Sequence, residues 1–338
     1  MNYRTFGRTG WRVGEIGYGM WGMAGWSGSE DRQSLESLSL AVELGANFFD
    51  TAYAYGEGHS ERLLGQIIRQ HPGDCPDFRV SENGTVPFRR LYAATKIPPK
   101  NRQWPSRRGS RLDDVFPPDY IRQMTEKSLD NLGLDCVDLQ QFHVWEDSWA
   151  GDYRWQRAVD DLKHEGLVRA VGISINRWEP ANSLATLRTG LIDAVQVIYN
   201  IFDQSPEDDL FPLCEELGVA VIARVPFDEG SLTGALRADS HWPEGDWRNS
   251  YFVPENLAAT IQRVDRLKPL VPEGMTLADM ALRWILANPA VSTIIPGMRK
   301  PSHVRSNVAA SDAGPLSPTL MQELKQHRWD RQPTAWSQ

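Results

Sequence analysis

Four side chains with useful acid, base or hydrogen-bonding chemistry stand at or just beyond the ends of short apolar runs. Asp50 closes "NFFD", Lys96 closes "LYAATK" and His143 closes "DLQQFH". Tyr55 lies in the segment that follows Asp50, "TAYAYGEG". Each has an ordinary alternative: an Asp in a turn, a solvated Lys, or a hydrogen-bonded core His.

Together these groups could transfer a proton. A phenol with a pKa of about 10 is a poor acid at neutral pH until a cation stabilises its phenolate, and Lys96 could supply that cation. A buried ammonium needs a carboxylate partner, and Asp50 could provide it. His143 could then hydrogen-bond a carbonyl oxygen while Tyr55 protonates that oxygen. The set predicts proton transfer to a carbonyl group.

The elements that must position these residues alternate between short apolar runs and amphipathic stretches. We expect eight strands near residues 14–19, 46–50, 91–96, 137–142, 168–173, 193–198, 219–223 and 292–296. Helical patterns such as "PDYIRQMTEKSLDNLGL" lie between them, and several begin at Ser, Asp or Pro and end at Gly. Eight such repeats predict an α/β fold, a (β/α)8 TIM barrel, whose strand ends carry the active site at the top face.

Three further features refine this expectation of a single domain over residues 1–338. Residues 1–13 carry a two-strand pattern around "RTG", which predicts a hairpin cap at the bottom of the barrel. Extra length at 71–90 precedes a strand, whereas 97–116 and 232–253 follow strands and are expected as extended top-face loops. Residues 311–338 are expected as a C-terminal helix and tail.

Composition narrows the function classes. With 41% hydrophobic residues among 338, the chain can bury a large core, and its net charge of −8 disfavours nonspecific binding to nucleic acid or anionic membranes. The three cysteines form no C-x-x-C pair and the seven histidines no H-x-H or H-E-x-x-H group, so we predict neither a disulfide framework nor a metal site. No run approaches the ~18 apolar residues of a spanning helix, and we expect a cytoplasmic protein.

The chain resembles the aldo-keto reductase superfamily in "FFDTAYAYGEGHSE", "AATK", "QFH" and "IIPGMRKPSHVRSN", over about residues 3–310. The resemblance implies a (β/α)8 barrel that binds a nicotinamide cofactor, usually NADPH, without a G-x-G-x-x-G loop. By matching position, Asp50, Tyr55, Lys96 and His143 would be the catalytic tetrad, with Tyr55 as the general acid. The family pattern places the acid directly before "GEG", which selects Tyr55 over Tyr53.

The same resemblance implies cofactor contacts after the later strands. Ser174 and Gln196 match positions that hold the nicotinamide carboxamide, although Ile175 stands where an Asn is common. "RVPFDEGSLTG" resembles the phosphate loop, in which backbone N–H groups approach the pyrophosphate. Its implied contacts are Pro226, Asp228, Gly230, Ser231, Leu232 and Gly234. Arg224 occupies the place of a common aromatic residue that stacks on nicotinamide.

The adenosine-phosphate side would lie after the eighth strand, where "IPGMRKPSHVRSN" opens a helix and concentrates basic residues. The implied contacts are Gly297, Met298, Arg299, His303 and Asn307. We therefore expect NADPH, with NADH as the alternative.

Tryptophans suggest how a substrate is held. Trp21 and Trp26 follow the first predicted barrel strand, and Trp145 and Trp149 follow the fourth, which would place them around the barrel mouth. Such rings would suit a sugar-like, cyclic or aromatic carbonyl compound, although most tryptophans serve packing. The sequence thus predicts an NADPH-dependent carbonyl reductase acting on a small molecule; a regulatory nucleotide-binding module like the potassium-channel β subunits is the alternative.

Overall fold

The computed structural model describes residues 1–25, 28–71, 90–334 and 336–337. Two strands, β1 (Tyr3–Phe6) and β2 (Trp11–Gly14), pair as an antiparallel hairpin. Eight more form one parallel sheet: β3 (Tyr18–Gly19), β4 (Phe48–Asp50), β5 (Tyr92–Ile97), β6 (Val137–Phe142), β7 (Val168–Ser174), β8 (Ala194–Ile198), β9 (Ala220–Arg224) and β10 (Val291–Ile294).

The sheet closes into a barrel. Neighbouring strands follow chain order from β3 to β10, and parallel bridges from Ile16 to Ile294 and from Gly19 to Gly297 join its two edges. Gly19 allows this closure, because a Cβ there would lie 2.6 Å from the Ile295 carbonyl oxygen. The predicted (β/α)8 barrel is confirmed.

Helices surround the sheet in the described residues. They are α1 (Asp31–Glu43), α2 (His59–Gln70), α3 (Leu112–Val115), α4 (Pro118–Leu132), α5 (Tyr153–His164), α6 (Leu184–Arg188), α7 (Leu210–Leu217), α8 (Arg248–Tyr251), α9 (Pro254–Leu267), α10 (Leu277–Leu286), α11 (Pro301–Asp312) and α12 (Pro318–Lys325). Local signals explain several ends: α4 begins with Pro118 and stops at Gly133, whose φ is +67°, and Thr276 and Asp279 form a capping box at the start of α10.

The N-terminal hairpin packs at the bottom of the barrel, as predicted. The Phe6 ring lies 5.6 Å from that of Trp11 and 5.1 Å from that of Phe48, and the cluster continues to Tyr92 and Ile222. Gly7 lets the hairpin approach so closely, since its φ is +50° and a Cβ would lie 2.5 Å from the Gly218 carbonyl oxygen. An apolar plug therefore fills this end.

The two connections predicted at the top face follow β5 and β9, and each contributes residues to the main cavity. They contain the short helices α3 and α8, respectively. The insertion predicted at 71–90 lies, apart from its two end residues, outside the described residues. In the described part of the chain no helix combines the length and apolar character needed to cross a membrane.

Candidate active site

The ends of three neighbouring strands bring the four predicted catalytic residues together. Asp50 ends β4, Lys96 is the penultimate residue of β5, and His143 directly follows β6. Tyr55 reaches the same point from the turn after β4. The Lys96 Nζ atom lies 2.5 Å from Asp50 Oδ1 and 3.4 Å from the Tyr55 hydroxyl oxygen. The sequence therefore identified side chains that share one small volume.

The Asp50 carboxylate is held on both oxygens. Lys96 donates to one of them, and the side-chain amides of Gln141 and Gln196 donate to the other at 3.0 and 2.7 Å. Lys96 also donates to the backbone carbonyl of Thr51 at 2.8 Å. Because all these side chains are buried, the ion pair needs this saturation of its hydrogen bonds to offset desolvation.

Burial and charge act in opposite directions on Tyr55. Burial raises the pKa of the phenol above its ordinary value, the Lys96 charge lowers it, and the Asp50 charge raises it again, with a net increase. For Lys96, burial lowers the pKa of the ammonium. Asp50 and Tyr55 raise that pKa by more than burial lowers it, so the net change is an increase. At neutral pH the pair is thus an ammonium ion beside a protonated phenol.

His143 is neutral in this environment. Burial, followed by the charges of Lys96 and Arg224, holds the pKa of the imidazole well below 6.5. Its ring centroid lies 5.7 Å from those of Tyr55 and Trp104, with edge-to-face geometry at both. The buried Nδ1 atom has no hydrogen-bond partner among the described residues. His143 can therefore offer a hydrogen bond to a ligand without carrying a charge.

A cavity of about 750 Å³ opens above the tetrad. Its floor includes Asp50, Tyr55 and His143, and its walls come from segments that follow β3, β5, β7, β9 and β10. This volume lies within the range of about 300–1,000 Å³ that ligand sites occupy. Among the described residues, the tetrad thus faces a space large enough for a small molecule or an extended cofactor.

The predicted cofactor residues divide into those that line this cavity and those behind its wall. Ser174, Gln196, Arg224, Pro226 and Gly230 line it. Four predicted residues, Asp228, Ser231, Leu232 and Gly234, are not among the lining residues. Ser231 donates to Asp228 at 2.8 Å, and Leu232 is fully buried. The side chains of Asp228, Ser231 and Leu232 therefore lie behind the cavity wall and stabilise the loop. The approach of the loop's backbone N–H groups to a pyrophosphate stays a prediction.

The basic segment after β10 forms another wall. Gly297, Met298, Arg299 and His303 line the cavity, where α11 begins. Asn307, six residues after the first residue of the helix, is buried and is not among the lining residues, so its cofactor contact stays a prediction. Burial, followed by the charges of Lys300 and Arg299, lowers the pKa of His303. This wall combines positive charge with a helix N-terminus, which favours an anionic group.

Arg224 is a second cation beside the tetrad. One Nη atom donates to the Ile175 carbonyl oxygen at 3.0 Å, and Nε has no partner among the described residues. Burial and then the charge of Arg177 lower the pKa of this guanidinium to about 10. Arg177 itself pairs with Glu229, another lining residue, at 2.7 Å. The charge of Arg224 lowers the pKa of both Tyr55 and His143.

The four predicted substrate-pocket tryptophans have different positions. Trp21 lines the cavity, is 41% exposed and contacts the edge of Trp247. Trp145 and Trp149 do not line it: they are buried and pack edge to face with each other, and Trp145 also packs on Trp155 of α5. The substrate-wall prediction is wrong for this pair, because the chain after β6 folds back onto the helical layer. Trp26 lies outside the described residues.

Other cavity residues escaped the sequence prediction. Trp104, 41% exposed, stands over His143, and Asn176 donates to the Trp145 carbonyl and the Glu146 carboxylate at 3.0 Å each. Arg177 and Glu229 close one side, and Ser337 reaches the cavity from the C-terminal tail. Trp104 had a usable signal, since it lies in a loop predicted at the top face; Ser337 had none.

Comparisons with known proteins agree with this geometry. Residues 15–328 match the model of the Aldo/keto reductase family. The chain is 30% identical over 333 residues to an NADH-specific methylglyoxal reductase of Escherichia coli K12. The matched region covers 94% of this chain and 96% of that protein. It is 27% identical over 343 residues to a probable voltage-gated potassium channel subunit beta of Oryza sativa subsp. japonica, with 96% of each chain covered.

A solved structure supports the fold. The glycerol dehydrogenase of Gluconobacter oxydans superposes on the chain with a TM-score of 0.75 at 24% identity, over 96% of this chain and 94% of that one. At this identity the likeness concerns the barrel alone.

Proposed function

The chain belongs to the aldo/keto reductase family, and on that premise we propose that it reduces an aldehyde or ketone to an alcohol with NADPH, using Tyr55 as the general acid. One observation carries the proposal. A fully buried ammonium, that of Lys96, lies between the Asp50 carboxylate at 2.5 Å and the Tyr55 hydroxyl at 3.4 Å, and both of these partners line the cavity. Such a charge is costly to bury and is placed where a phenolate would form.

The cavity fits a nicotinamide dinucleotide. Buried polar atoms without partners among the described residues face or adjoin it: His143 Nδ1, Asn176 Oδ1 and Arg224 Nε. Gly297 leaves open space beside the start of α11, where a Cβ would meet nothing within 4 Å. Ser174 and Gln196 would hold the carboxamide, the backbone around Pro226 and Gly230 the pyrophosphate, and Arg299 with His303 the adenosine phosphate. When bound, the reduced nicotinamide supplies the hydride.

The chain's own residues manage the proton. Tyr55, protonated at neutral pH, donates to the carbonyl oxygen as negative charge develops there. Lys96 stabilises the resulting phenolate, and Asp50 keeps Lys96 charged by pairing with it. Neutral His143 orients the same oxygen by hydrogen bonding. In alcohol oxidation the same groups act in reverse, with Tyr55 accepting the proton.

The choice of NADPH rests on the wall formed by Arg299 and His303, beside Lys300. A ribose phosphate carries extra negative charge, and a guanidinium can bind it through two parallel hydrogen bonds. The E. coli relative is named for NADH specificity, so NADH is the nucleotide with which NADPH is compared.

A fluorescence titration with NADPH and NADH tests the proposal, followed in the same sample by a panel of small aldehydes, keto-sugars and cyclic ketones. We expect tighter binding of NADPH and oxidation of the bound cofactor by one carbonyl class. If neither NADPH nor NADH binds, the proposed cofactor site is contradicted.

The likeness to a probable channel β subunit favours one alternative, a nucleotide-binding regulatory module. It predicts tight nucleotide binding with negligible turnover across the carbonyl panel. Turnover that depends on the Tyr55 hydroxyl would favour the reductase instead.

A further inference from the structure

The described part of the C-terminal tail after α12, residues 326–334 and 336–337, returns to the top of the barrel and buries a cation there. The Arg331 side chain is 3% exposed although it lies seven residues before position 338. Its guanidinium is sandwiched between the rings of Trp178 and Trp329, at 4.6 and 4.7 Å from their centroids. Trp178 follows β7 and Trp329 belongs to the tail, so the contact joins two segments distant in sequence.

Arg331 also binds two carboxylates from two further loops. Its Nε donates to Asp203 Oδ1 at 3.1 Å, in the loop after β8, and one Nη donates to both Asp203 and Asp228. The distance to Asp228 Oδ1 is 2.7 Å, and Asp228 belongs to the loop after β9. Within the described residues, Arg331 thus joins the segments after β7, β8 and β9 in one buried cluster.

The loop after β9 needs such support. Val225, Asp228 and Glu229 have φ values of +54°, +45° and +56°, in the left-handed region that non-glycine residues rarely adopt. Residues persist there only where surrounding contacts hold them. Asn200 donates to the Val225 carbonyl and to Asp203, so the carboxylate that binds Arg331 is linked to the start of the loop as well as to its centre.

This loop supplies the cavity wall assigned above to the pyrophosphate. Val225, Glu229 and Gly230 line the cavity, whereas Asp228 faces away from it toward Arg331. Ser337, six residues beyond Arg331, reaches the cavity itself. The tail therefore lies behind one part of the cofactor wall and contributes to another.

We propose that Arg331 is a positioning residue for cofactor binding, which holds the strained loop after β9 in its binding conformation and makes the C-terminal tail part of the cofactor site. The proposal rests on the proposed function for its ligand. Arg331 does not contact the tetrad, so it acts on cofactor affinity through Asp228 and leaves the proton-transfer groups in place.

Arg328 provides a matched control in the same tail. It binds Asp208 through both Nη atoms, at 2.7 and 2.5 Å, and also Asp330, but these groups are partly exposed and do not line the cavity. We expect Arg331→Met to raise the Kd for NADPH by about tenfold or more while kcat at saturating cofactor stays within about threefold, the pattern of lost binding without lost chemistry. Arg328→Gln should leave both values within about twofold.

Arg331→Met leaves two buried carboxylates unpaired and can unfold the protein. Asp228→Asn and Asp203→Asn are the milder pair, since each neutralises one of the two acidic partners. We expect Asp228→Asn to weaken NADPH binding several times more than Asp203→Asn, at similar loss of thermal stability, because Asp228 belongs to the loop itself whereas Asp203 reaches it only through Asn200. If both variants fold and bind NADPH with the same Kd, the proposal is overturned.

Hydrogen exchange without nucleotide separates this proposal from the proposed function. Residues 225–234 should exchange faster in Asp228→Asn than in the parent or Arg328→Gln, with α4 unchanged as an internal reference. If the parent binds no nucleotide, the proposed function fails, and exchange still decides whether Arg331 holds the loop. Unchanged exchange in this segment would show that it does not.

Discussion

The two ends of the barrel are built from the same strand faces but differ in chemistry. On β4, Phe48 enters the apolar cluster beneath the barrel, and Asp50, two residues later, enters the catalytic cluster above it. On β5, Tyr92 and Ala94 belong to the lower cluster and Lys96 to the upper. Because side chains alternate along a strand, residues two apart share the inward face. The interior of the barrel therefore changes from an apolar cluster to a charged site over two residues of each of these strands.

The ends also differ in how they are held. The lower end relies on contact between rings and on the close approach of Gly7. The upper end relies on a saturated ion pair and on a loop with left-handed residues tied to Arg331. The bottom is stabilised by apolar side chains of complementary shape. The top must stabilise a buried ion pair and a loop with left-handed residues beside a cavity. Changes at the bottom should thus affect stability, and changes at the top should affect chemistry or binding.

The largest expected effect is at the top. Tyr55→Phe removes the proton donor and should lower kcat/KM for carbonyl reduction by a factor of about 10²–10⁴. The Kd for NADPH and the thermal midpoint should change little, because Lys96 keeps Asp50 and Thr51 as partners. Steady-state kinetics and a melting curve measure both. Tyr53→Phe, in the same turn, is the control and should retain activity; the reverse result would assign the acid to Tyr53.

Phe48→Ala is the matching change at the bottom, two residues from Asp50 on the same strand. Removing this fully buried ring should lower the free energy of unfolding by about 3–5 kcal/mol, measured by denaturant titration. We expect kcat per folded molecule to stay within about threefold of the parent, since no reacting group is touched. A fall in kcat as large as that of Tyr55→Phe would mean that the two ends are not independent.

A smaller effect is expected at the wall after β10. Arg299→Gln should weaken NADPH binding by roughly tenfold, the scale of a lost charge-assisted hydrogen bond, with little change for NADH. Lys300→Gln is the control, because Lys300 adjoins Arg299 but does not line the cavity. Equal weakening of both nucleotides by Arg299→Gln, in equilibrium titrations, would place Arg299 away from the adenosine phosphate.

The smallest effect concerns pH. The pKa of His143 in the folded protein lies below its unfolded value of about 6.5, so the unfolded state binds more protons between the two values. Stability from this residue is fully present above pH of about 6.5 and is lost as the pH falls below it, by at most about 1.4 kcal/mol per pH unit.

His143→Asn should therefore flatten the acid side of the stability profile, whereas His241→Asn, at an exposed histidine away from the cavity, should keep the parent slope. Denaturant titrations from pH 5 to 7.5, a range of about 2.5 units around that value, measure the slopes. An unchanged slope in His143→Asn would show that His143 does not titrate as the structure indicates.

The sequence alone determined the barrel and the position of its chemistry. Alternating apolar runs and amphipathic stretches predicted eight strands, and the structure has strands overlapping every predicted run. A polar residue that closes an apolar run in a parallel barrel must lie at the top face, so Asp50, Lys96 and His143 were expected to meet. These inferences succeed because strand periodicity and barrel topology are local or repeated rules.

Only the tertiary structure decided which loop residues face the cavity. Trp145 turns outward to pack on Trp155, whereas Trp104 stands over His143, although Trp104 and Trp145 both lie in segments that follow a strand. Loop direction follows from contacts with other elements, which no local pattern encodes. Arg331 illustrates the limit: it meets Asp203 and Asp228 from 128 and 103 residues away, and a lone arginine in a tail carries no sign of its partners. The polar residues at the strand ends determined where the site lies, and contacts between distant segments determined which other side chains complete it.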